Sequence, residues 1–148
     1  MGIDKGVITV SGGEVTEASI VVNVIQLTVT DIEDAEKNAN LVGNLKSPDF
    51  FDTEAFPQAT FELSAIKPLG DGSGYTAYGD VTIKGITNQT EFTLNYLGKD
   101  GELHLKGSAT IDRTLFDIKY GSASFFDDLG DRAIYDDFEI TFRIAASL

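Results

Sequence analysis

The stretch LKSPDFFDTEAFPQATFEL, residues 45–63, changes character at its centre. Its first part sets three phenylalanines among aspartates and turn-forming residues: Phe50, Phe51 and Phe56. From residue 59 onward the pattern is strict alternation, with Phe61, Leu63 and Ala65 on one side. Such alternation is typical of a half-buried strand. The apolar segment just before the strand is therefore predicted to plug or rim an apolar cavity that strands enclose.

Length and composition indicate a single domain covering residues 1–148. A chain of 148 residues is large enough for a real core or a ligand-sized cavity. Its hydrophobic fraction of 42% is ordinary for a globular protein. No internal repeat or low-complexity linker divides the sequence.

The charge balance is strongly acidic and spread along the chain. There are 24 Asp and Glu residues against 11 Lys and Arg, which gives a net charge of -13. Nucleic acids and anionic membrane surfaces are bound by basic faces, so the balance argues against both as partners. The simplest interpretation of the acidic charge is solubility.

The sequence contains no cysteine, which excludes disulfides, Cys-ligated zinc and thiol catalysis. No apolar run approaches the roughly 20 residues that span a bilayer, so no transmembrane segment is predicted. No secretion signal opens the chain at Met1. We expect a cytoplasmic location if Met1 is the native start, and a periplasmic or secreted one if an export signal was removed.

Most of the chain has the pattern of short strands. The predicted strands cover residues 7–10, 18–27, 59–67, 75–84, 90–98, 102–112 and 138–146, with Gly79 marking a bend. Period-two strands joined by Gly and Asp turns indicate an antiparallel meander. With about eight such strands, a sandwich or a closed barrel would satisfy the pattern.

One helix is predicted between the early strands of the sequence. The run at residues 18–27 is apolar on both faces and is expected to be covered on both. After it, the segment from about Asp31 to Leu45 carries no strand pattern and begins with acidic residues, as helices do. Its candidate packing residues are Ile32, Ala35, Leu41, Val42 and Leu45. We expect this helix to lie across the outside or one end of the sheet.

No constellation of catalytic or metal-binding residues can be assembled from the sequence. The only histidine, His104, has the parity opposite to its apolar neighbours and is interpreted as a surface residue. The glycine-rich turn at residues 70–74 lacks the lysine and helix of a phosphate loop. The spacing of the acidic cluster does not match a calcium loop, so a solvated loop is favoured for Asp127, Asp128, Asp131, Asp136 and Asp137. We expect no enzyme activity, no metal and no cofactor.

Arg113 is the one charged residue predicted to point inward. Counting by twos along residues 103–111 brings it onto the apolar face. Phe116 has the opposite parity, so a bulge or bend must lie between the two. An unpaired buried charge is very costly. Arg113 is therefore expected either to contact the polar end of a ligand or, as the favoured alternative, to pair with a carboxylate such as Asp112 or Asp117.

Three separated blocks resemble successive signature blocks of the YceI-like family, in the right order. They are LVGNLKSPDFFDTEAFPQATFEL (residues 41–63), YGDVTIKGITNQTEFTL (78–94) and GSATIDRTLFDIKYGS (107–122). The matching residues are Asp49, Phe50, Phe51, Phe56, Pro57, Lys84, Gly85, Asp112, Arg113 and Phe116. The family comprises bacterial polyisoprenoid- and lipid-binding proteins. The resemblance, which extends from about Gly6 to the C-terminus, implies an antiparallel, lipocalin-like β-barrel around a long hydrophobic tunnel.

The resemblance fails at the start of the chain. Relatives usually have a further strand containing tryptophan before the segment Gly6–Val10, and this chain has no tryptophan. The strand at Val7–Val10 would then lack one neighbour, and an exposed strand edge can pair with another chain. We expect self-association through that edge, most simply as a two-fold homodimer, or a barrel closed by shifted pairing around a reduced tunnel.

The expected function is to bind or carry a long-chain apolar ligand, a polyisoprenoid or another lipid, inside the barrel. An eight-stranded barrel is just wide enough to hold one chain-like ligand. The candidate ligand-binding residues are Phe50, Phe51, Phe56, Phe61, Leu63, Val81, Ile83, Phe92, Leu94, Leu103, Leu105, Arg113, Phe116, Phe138, Ile140 and Phe142. The alternative is a structural or protein-interaction barrel whose interior is filled by its own side chains.

Overall fold

The computed structural model describes residues 1–127, 129–130 and 133–147. In these residues one antiparallel sheet contains seven strands, each paired with the next along the chain. The strands are β1 (Gly2–Ser11), β2 (Glu14–Asn23), β3 (Gln58–Pro68), β4 (Tyr75–Ile83), β5 (Ile86–Lys99), β6 (Glu102–Asp112) and β7 (Asp137–Ser147). Helix α1 (Ala35–Lys46) lies between β2 and β3. The predicted antiparallel barrel-like class is confirmed, with seven strands that curl into a half-barrel.

The half-barrel is open between its first and last strands. In the described part of the chain, β1 pairs only with β2, and β7 pairs only with β6. Closure by shifted pairing is therefore wrong for these residues. Because neighbouring strands alternate in direction, an odd number of strands leaves β1 and β7 running the same way. A strand of opposite direction could pair antiparallel with either of these edges.

Three two-residue turns set the register of the hairpins. Both central residues have positive φ at Gly12-Gly13 (61° and 82°), Lys84-Gly85 (54° and 76°) and Asp100-Gly101 (53° and 77°). Positive φ at both positions defines the type I′ turn, whose twist matches that of the flanking strands. Glycine fits the second position because it has no Cβ to strain there.

The core lies on the inward face of the curled sheet, which we call the concave face. All the candidate ligand-binding residues that lie on strands belong to one apolar cluster on this face: Phe61, Leu63, Val81, Ile83, Phe92, Leu94, Leu103, Leu105, Phe138, Ile140 and Phe142. Their neighbours in sequence on β5, β6 and β7 point outward and are mostly exposed. The alternation in the sequence thus assigned these strand faces correctly.

An irregularity in β3 makes one detail of the prediction wrong. The pairing of β3 with β4 shifts between Leu63 and Ala65, which is the signature of a β-bulge. Beyond the shift Ala65 is exposed and Ile66 packs against the core instead. Gly79 lies opposite Leu63 within the continuous strand β4. The register shift in β3 thus lies directly opposite Gly79, and the bend expected at this glycine stays a prediction.

The region before α1 also departs from the prediction. Strand β2 ends at Asn23 and a 3-10 turn follows at Val24–Gln26, where Ile25 is half exposed, so the apolar run is not covered on both faces. The helix begins at Ala35 because Asp34 caps it: the Asp34 carboxylate accepts a hydrogen bond from the backbone N–H of Lys37 at 3.0 Å. None of the described helices has the length and apolar character needed to span a membrane.

Candidate functional site

The half-barrel has two unlike ends. At one, which we call the capped end, β2, β4 and β6 finish and the other strands begin. Two long connections meet there: the cap segment, residues 45–57, and the cap loop, residues 113–136 in their described part. The opposite hairpin end carries only the turns at residues 11–14, 68–75 and 99–102. The concave face extends from one end to the other.

Adjacent phenylalanines of the cap segment close the capped end. Phe50 is 8% exposed, and its ring meets that of Tyr120 edge-on at a centroid distance of 5.5 Å. Phe51 meets Phe138 at the start of β7 in the same geometry at 6.2 Å. Leu45, in the last turn of α1, packs against the core beside them. The apolar stretch around Phe50 and Phe51 is therefore a plug at one end of the half-barrel.

The Lys84-Gly85 turn fastens this plug to the sheet. Phe56 lies over Gly85, where a Cβ atom would come within 2.9 Å of the ring, so glycine leaves the ring its place. Nζ of Lys84 donates to the backbone oxygens of Pro48 at 2.8 Å and Asp117 at 3.4 Å. The lysine thereby joins the cap segment to the cap loop.

Arg113, the first residue of the cap loop, bonds to several backbone oxygens of that loop. It is 4% exposed, which confirms its inward position, and it begins a 3-10 turn at the predicted bend. Its guanidinium donates to the backbone oxygens of Ile118 (2.9 Å), Tyr120 (2.8 Å), Ile134 (3.0 Å) and Tyr135 (2.8 Å). These bonds use four of the five N–H donors that an arginine has. The charge is thus satisfied by loop carbonyls.

The predicted ion pair of Arg113 is wrong for the described residues, since both candidate carboxylates have other contacts. Asp112 accepts hydrogen bonds from the backbone N–H (3.0 Å) and the hydroxyl (2.5 Å) of Thr114, and so caps the 3-10 turn. Asp117 has a left-handed φ of 59° and lies 3.8 Å from Nζ of Lys119. Arg113 braces the bend, as the favoured alternative proposed, but it does so through the backbone.

Asp136, at the C-terminal end of the cap loop, accepts hydrogen bonds from two serines of the same loop. The hydroxyl of Ser122, which is fully buried, donates to its Oδ1 at 2.5 Å, and the hydroxyl of Ser124 donates to its Oδ2 at 2.5 Å. These bonds, that of Ser122 first, lower the pKa of the Asp136 carboxyl, and the nearby charge of Arg113 lowers it further. The backbone oxygen of Asp136 also accepts a bond from the N–H of Arg113 at 2.8 Å.

Of the acidic residues considered for a calcium loop, only Asp127, Asp136 and Asp137 lie within the described residues. Asp127 and Asp137 are exposed, and Asp128 and Asp131 lie outside the described residues. Across the described ranges no group of three or more His, Asp or Glu side chains could hold a metal ion. The expectation that this protein needs no metal stays a prediction.

Three phenylalanines form a row across the concave face. Phe92 on β5 meets Phe61 on β3 at 4.8 Å and Phe142 on β7 at 6.1 Å, edge-on in both cases. Gly79 and Gly107 lie on the strands between, where a Cβ atom would collide with the rings of Phe61 and Phe142 respectively. Phe92 is buried, whereas the outer two phenylalanines remain partly exposed. The row therefore gives the concave face an apolar floor that is still accessible.

Exposure of the concave face increases toward the open side. The inward residues of β5 and β6 are mostly buried, but those of β7 are all only partly buried: Phe138, Ile140, Phe142, Ile144 and Ala146. Ile8 and Val10 on β1, which pack against the same core, are also only partly buried. The described structure thus presents a continuous apolar surface along the open side of the half-barrel.

A tyrosine pair at the hairpin end was not singled out by sequence reasoning. Tyr75 and Tyr96 stack at 4.6 Å with an interplanar angle of 18°, and the Tyr96 hydroxyl accepts a bond from the N–H of Val15 at 3.4 Å. Burial, followed by the hydrogen bond with Tyr75, raises the pKa of Tyr96. Both residues have inward parity in the sequence. That parity was the available signal, but it could not show that the rings would meet.

Two clefts lie outside the concave face. One, of about 580 Å³, opens where β5 and β6 diverge before Thr93, which pairs with Ser108. The other, of about 510 Å³, continues along β5 to β7 as far as Arg143. Both are lined mainly by the polar, outward side chains of these strands. An apolar chain gains little in such clefts, so they are poor candidates for the expected ligand.

The structure divides the candidate ligand-binding residues into two groups. The eleven strand residues share the concave face, whereas Phe50, Phe51, Phe56, Arg113 and Phe116 belong to the capped end. Phe116 is only 1% exposed and is fully occupied in packing. His104 points outward, 3.3 Å from Glu102. Contact between any of these residues and a ligand stays a prediction.

Comparison with known proteins gives matches across the chain. The YceI-like domain family matches residues 3–146. Protein YceI of Escherichia coli (strain UMN026) is 34% identical over 75 residues, which cover 51% of this chain and 36% of that protein. A UPF0312 protein of Staphylococcus aureus (strain bovine RF122) is 34% identical over 95 residues, or 59% of this chain and 52% of that protein. The chain thus spans about half the length, or less, of these curated relatives.

Solved structures show the same architecture. Burkholderia cenocepacia BcnA superposes with a TM-score of 0.74 at 24% identity, over 97% of this chain and 83% of that one. The YceI protein of Campylobacter jejuni gives a TM-score of 0.73 at 16% identity, over 99% and 83% of the two chains. These likenesses establish the fold. Together with the match over residues 3–146, they show that this chain belongs to the YceI-like domain family.

Proposed function

We propose that this protein binds one long-chain apolar ligand, a polyisoprenoid or another lipid, along its concave face. The observation that carries the proposal is the accessible apolar floor of that face. Phe61, Ile140 and Phe142 remain partly exposed there, although the outward faces of the same strands are polar. Accessible apolar surface of this kind, bordered by polar residues, marks binding sites in soluble proteins.

The energy of such binding would come from the chain of the ligand. Each buried CH₂ group contributes about 0.8 kcal/mol. A chain of about ten carbons or more could therefore bind appreciably even after the costs of association. Selection would be by length and shape, with a weak contribution from the head group. Arg113 supports this view, because four of its donors already bond within the protein.

The two ends suggest how the ligand would lie. Phe50 and Phe51 fill the capped end, so an apolar tail would stop there. The polar end of the ligand would then lie toward the hairpin end or the open side. In this arrangement the role of the protein is to bind and carry, without catalysis.

The first test identifies any ligand that is already bound. Purified protein is extracted with organic solvent, and the extract is analysed by mass spectrometry. Fluorescent fatty-acid and prenyl probes are then titrated by calorimetry at several temperatures. Burial of apolar surface predicts a negative heat-capacity change on binding. An extract without lipid, together with no binding of probes of any length, would refute the proposal.

Two neighbouring variants test the face itself. Leu63→Glu places a carboxylate on the concave face, whereas Ser64→Glu places the same group on an exposed neighbour in β3. We expect probe affinity to fall at least about tenfold for Leu63→Glu, because a charge on an apolar site is unfavourable. Ser64→Glu should bind as the wild type does. Circular dichroism and melting curves establish that both variants are folded.

The second candidate is a structural or protein-interaction module with a filled interior. The row formed by Phe61, Phe92 and Phe142 favours it, since these rings occupy part of the space above the sheet. Under this alternative no lipid is extracted and no probe binds. Leu63→Glu would then alter stability alone.

A further inference from the structure

The sheet divides between two of its inner strands, β5 and β6. These strands pair from their shared hairpin turn only as far as Thr93 and Ser108. Beyond that point β5 continues along β4 to Ile86, and β6 continues along β7 to Asp112. The cleft of about 580 Å³ lies between the two diverging stretches, and we call it the β5–β6 cleft. Neither of its walls is an outer strand, so the cleft is separate from the open side between β1 and β7.

The backbone of both walls directs hydrogen-bonding groups into the β5–β6 cleft. The two-residue turn at Asp100-Gly101 makes the residues on its two sides a hydrogen-bonded pair. Every second residue along an antiparallel pair repeats this bonding, and the last pair to do so is Thr93 with Ser108. Further along, the N–H and C=O groups on the same side belong to Thr87, Gln89 and Glu91 of β5 and to Thr110 and Asp112 of β6. These groups lie beyond the end of the ladder, and free groups of a strand can pair with another chain.

The 3-10 turn at Arg113–Phe116 forms the floor of the β5–β6 cleft. Nδ2 of Asn88 donates to the backbone oxygen of Leu115 at 2.8 Å, which joins the turn to β5. Phe116 is 1% exposed and belongs to the core, whereas Leu115 is 56% exposed. Both residues line the cleft. The turn therefore gives the cleft an accessible apolar side chain at its base.

The side chains around the β5–β6 cleft are acidic. Its lining includes the carboxylates of Glu91, Asp112, Asp137 and Glu139, and among the described lining residues there is no lysine or arginine. Asp112 and Asp137 lie directly opposite each other in the register of β6 with β7, and like charges at facing positions destabilise a sheet. The ion pairs of the described residues include none of these four carboxylates. A positively charged group in the cleft would relieve the repulsion.

We propose that the β5–β6 cleft binds an extended, basic segment of a partner protein, which pairs with the free side of β5. A strand added in this way gains affinity from main-chain hydrogen bonds and specificity from its alternate side chains. Along Thr87 to Glu91, one set of its side chains would lie over Leu115 and the other beside the outward carboxylates of Glu91 and Glu139. The segment that fits is one in which apolar residues alternate with lysine or arginine. The net charge of -13 attracts such a segment.

Synthetic peptides test the chemistry of the segment. The probe alternates lysine with valine over about six residues, a usual strand length, and is titrated into the protein by calorimetry at about 0.15 M salt. We expect saturable binding. A peptide with glutamate in place of lysine should bind at least about tenfold more weakly, because its charge is repelled. A fully N-methylated form of the lysine peptide cannot donate to a ladder and should lose at least as much affinity.

Variants of the cleft test its position. Glu91→Gln and Glu139→Gln should each weaken binding of the lysine peptide about threefold, as expected for exposed charge pairs. Glu62→Gln removes an exposed carboxylate from the outward side of β3 and should bind as the wild type does. Leu115→Ala should weaken the lysine–valine peptide and leave a lysine–serine peptide unchanged. Leu63→Glu should bind the peptide normally whether or not it binds lipid, because the concave face is a separate site.

Hydrogen exchange tests the pairing itself. The amides of Thr87, Gln89 and Glu91 should exchange rapidly in the protein alone and slowly in the complex with the lysine–valine peptide. Slow exchange before the peptide is added would overturn the proposal, since these groups would already be paired. So would a wild type that binds no lysine peptide, or one that binds the glutamate or N-methylated form equally well. Displacement of the peptide by spermidine at equal concentration would assign the cleft to small cations instead and would also refute strand addition.

Discussion

The two ends of the half-barrel are built from different kinds of contact. At the capped end, the cap segment meets the described part of the cap loop, and side chains such as Arg113 and Lys84 bond to their backbone oxygens. At the hairpin end, tight turns join the strands and a pair of tyrosines packs between them. Long irregular connections must find partners for their own polar groups, whereas a two-residue turn continues the ladder.

The two kinds of contact differ in how much a substitution should change the free energy of unfolding. Each connection at the capped end depends on a few donors that lie between separate segments, so the loss of one donor should loosen several segments at once. The hairpin end depends on local turns, and each should tolerate change by itself. We therefore expect substitutions at the capped end to alter global stability and substitutions at the hairpin end to alter it little.

The largest effect is expected at Arg113. Arg113→Ala leaves four carbonyl oxygens without their donor, and it should lower the free energy of unfolding by about 3 kcal/mol. Urea unfolding measures the change, and Lys99→Ala at the exposed hairpin end is the control. Lipid affinity should fall less than stability. Unchanged melting with a large loss of affinity for charged lipids would instead make Arg113 a head-group residue.

A smaller effect is expected at Lys84, which joins the two parts of the cap. Lys84→Met removes the bonds to the carbonyls of Pro48 and Asp117 but keeps most of the side-chain volume, so unfolding should become easier by about 1 kcal/mol. Lys99→Met makes the same change beside the Asp100-Gly101 turn of the hairpin end. Equal losses in the two variants would remove the distinction between the ends. Both are measured by urea unfolding.

The strand faces could be predicted from sequence because they depend on a local period. Alternation placed Phe92, Leu105 and Ile140 on the concave face, and the DFF block correctly suggested a plug. The bulge after Leu63 broke this period, and no glycine or proline adjoins it within β3; the only nearby signal is Gly79, which lies opposite Leu63 on β4. Alternation also cannot count the strands that close a sheet, so the exposed edge of β1 was expected only from the further strand of the relatives, and the exposed edge of β7 was not predicted.

The contacts of Arg113 show a second limit of sequence reasoning. Its burial followed from parity, but its partners are backbone oxygens of an irregular loop, which have no signature in residue types. The residue types alone therefore favour the nearest carboxylates, Asp112 and Asp117, as its partners. The stacking of Tyr75 on Tyr96 likewise depends on the register of β4 with β5, which pairs Tyr75 with Leu94.

Acid should act on the capped end through Asp136. Hydrogen bonds from Ser122 and Ser124 lower the pKa of this carboxyl in the folded protein. Its contribution to stability is therefore fully present above the ordinary pKa of an aspartate, about 3.9, and is lost as the pH falls through the lower folded value. Asp136→Asn should be less stable than the wild type at neutral pH, and the difference should shrink below about pH 4.

Unfolding curves from pH 7 to about pH 2.5 measure this convergence, which lies in the range where aspartates titrate. Asp127→Asn, which removes an exposed carboxylate from the same loop, is the control. A difference between Asp136→Asn and the wild type that stays constant down to the lowest pH would mean that ionisation of Asp136 does not stabilise the cap.

Alkali should act on the hairpin end through Tyr96. At neutral pH, substitution of Tyr96 should change stability less than the substitutions at Arg113, Lys84 and Asp136. Tyr96→Phe removes a long bond from the N–H of Val15, at 3.4 Å, and should lower the free energy of unfolding by about 0.5 kcal/mol at pH 7. Burial and the bond with Tyr75 raise the pKa of Tyr96 in the folded state. Its contribution is therefore present below the unfolded value, about 10, and is lost as the pH rises through the higher folded value.

The variant should approach and then match the wild type in that range, while Tyr135→Phe, at a ring that is 91% exposed, should show no such convergence. Convergence of Tyr96→Phe in alkali and of Asp136→Asn in acid would show that opposite extremes of pH weaken opposite ends of the same sheet. If Tyr96→Phe instead stayed parallel to the wild type up to pH 11, the tyrosine pair would be only a packing contact, and the distinction would be limited to the cap.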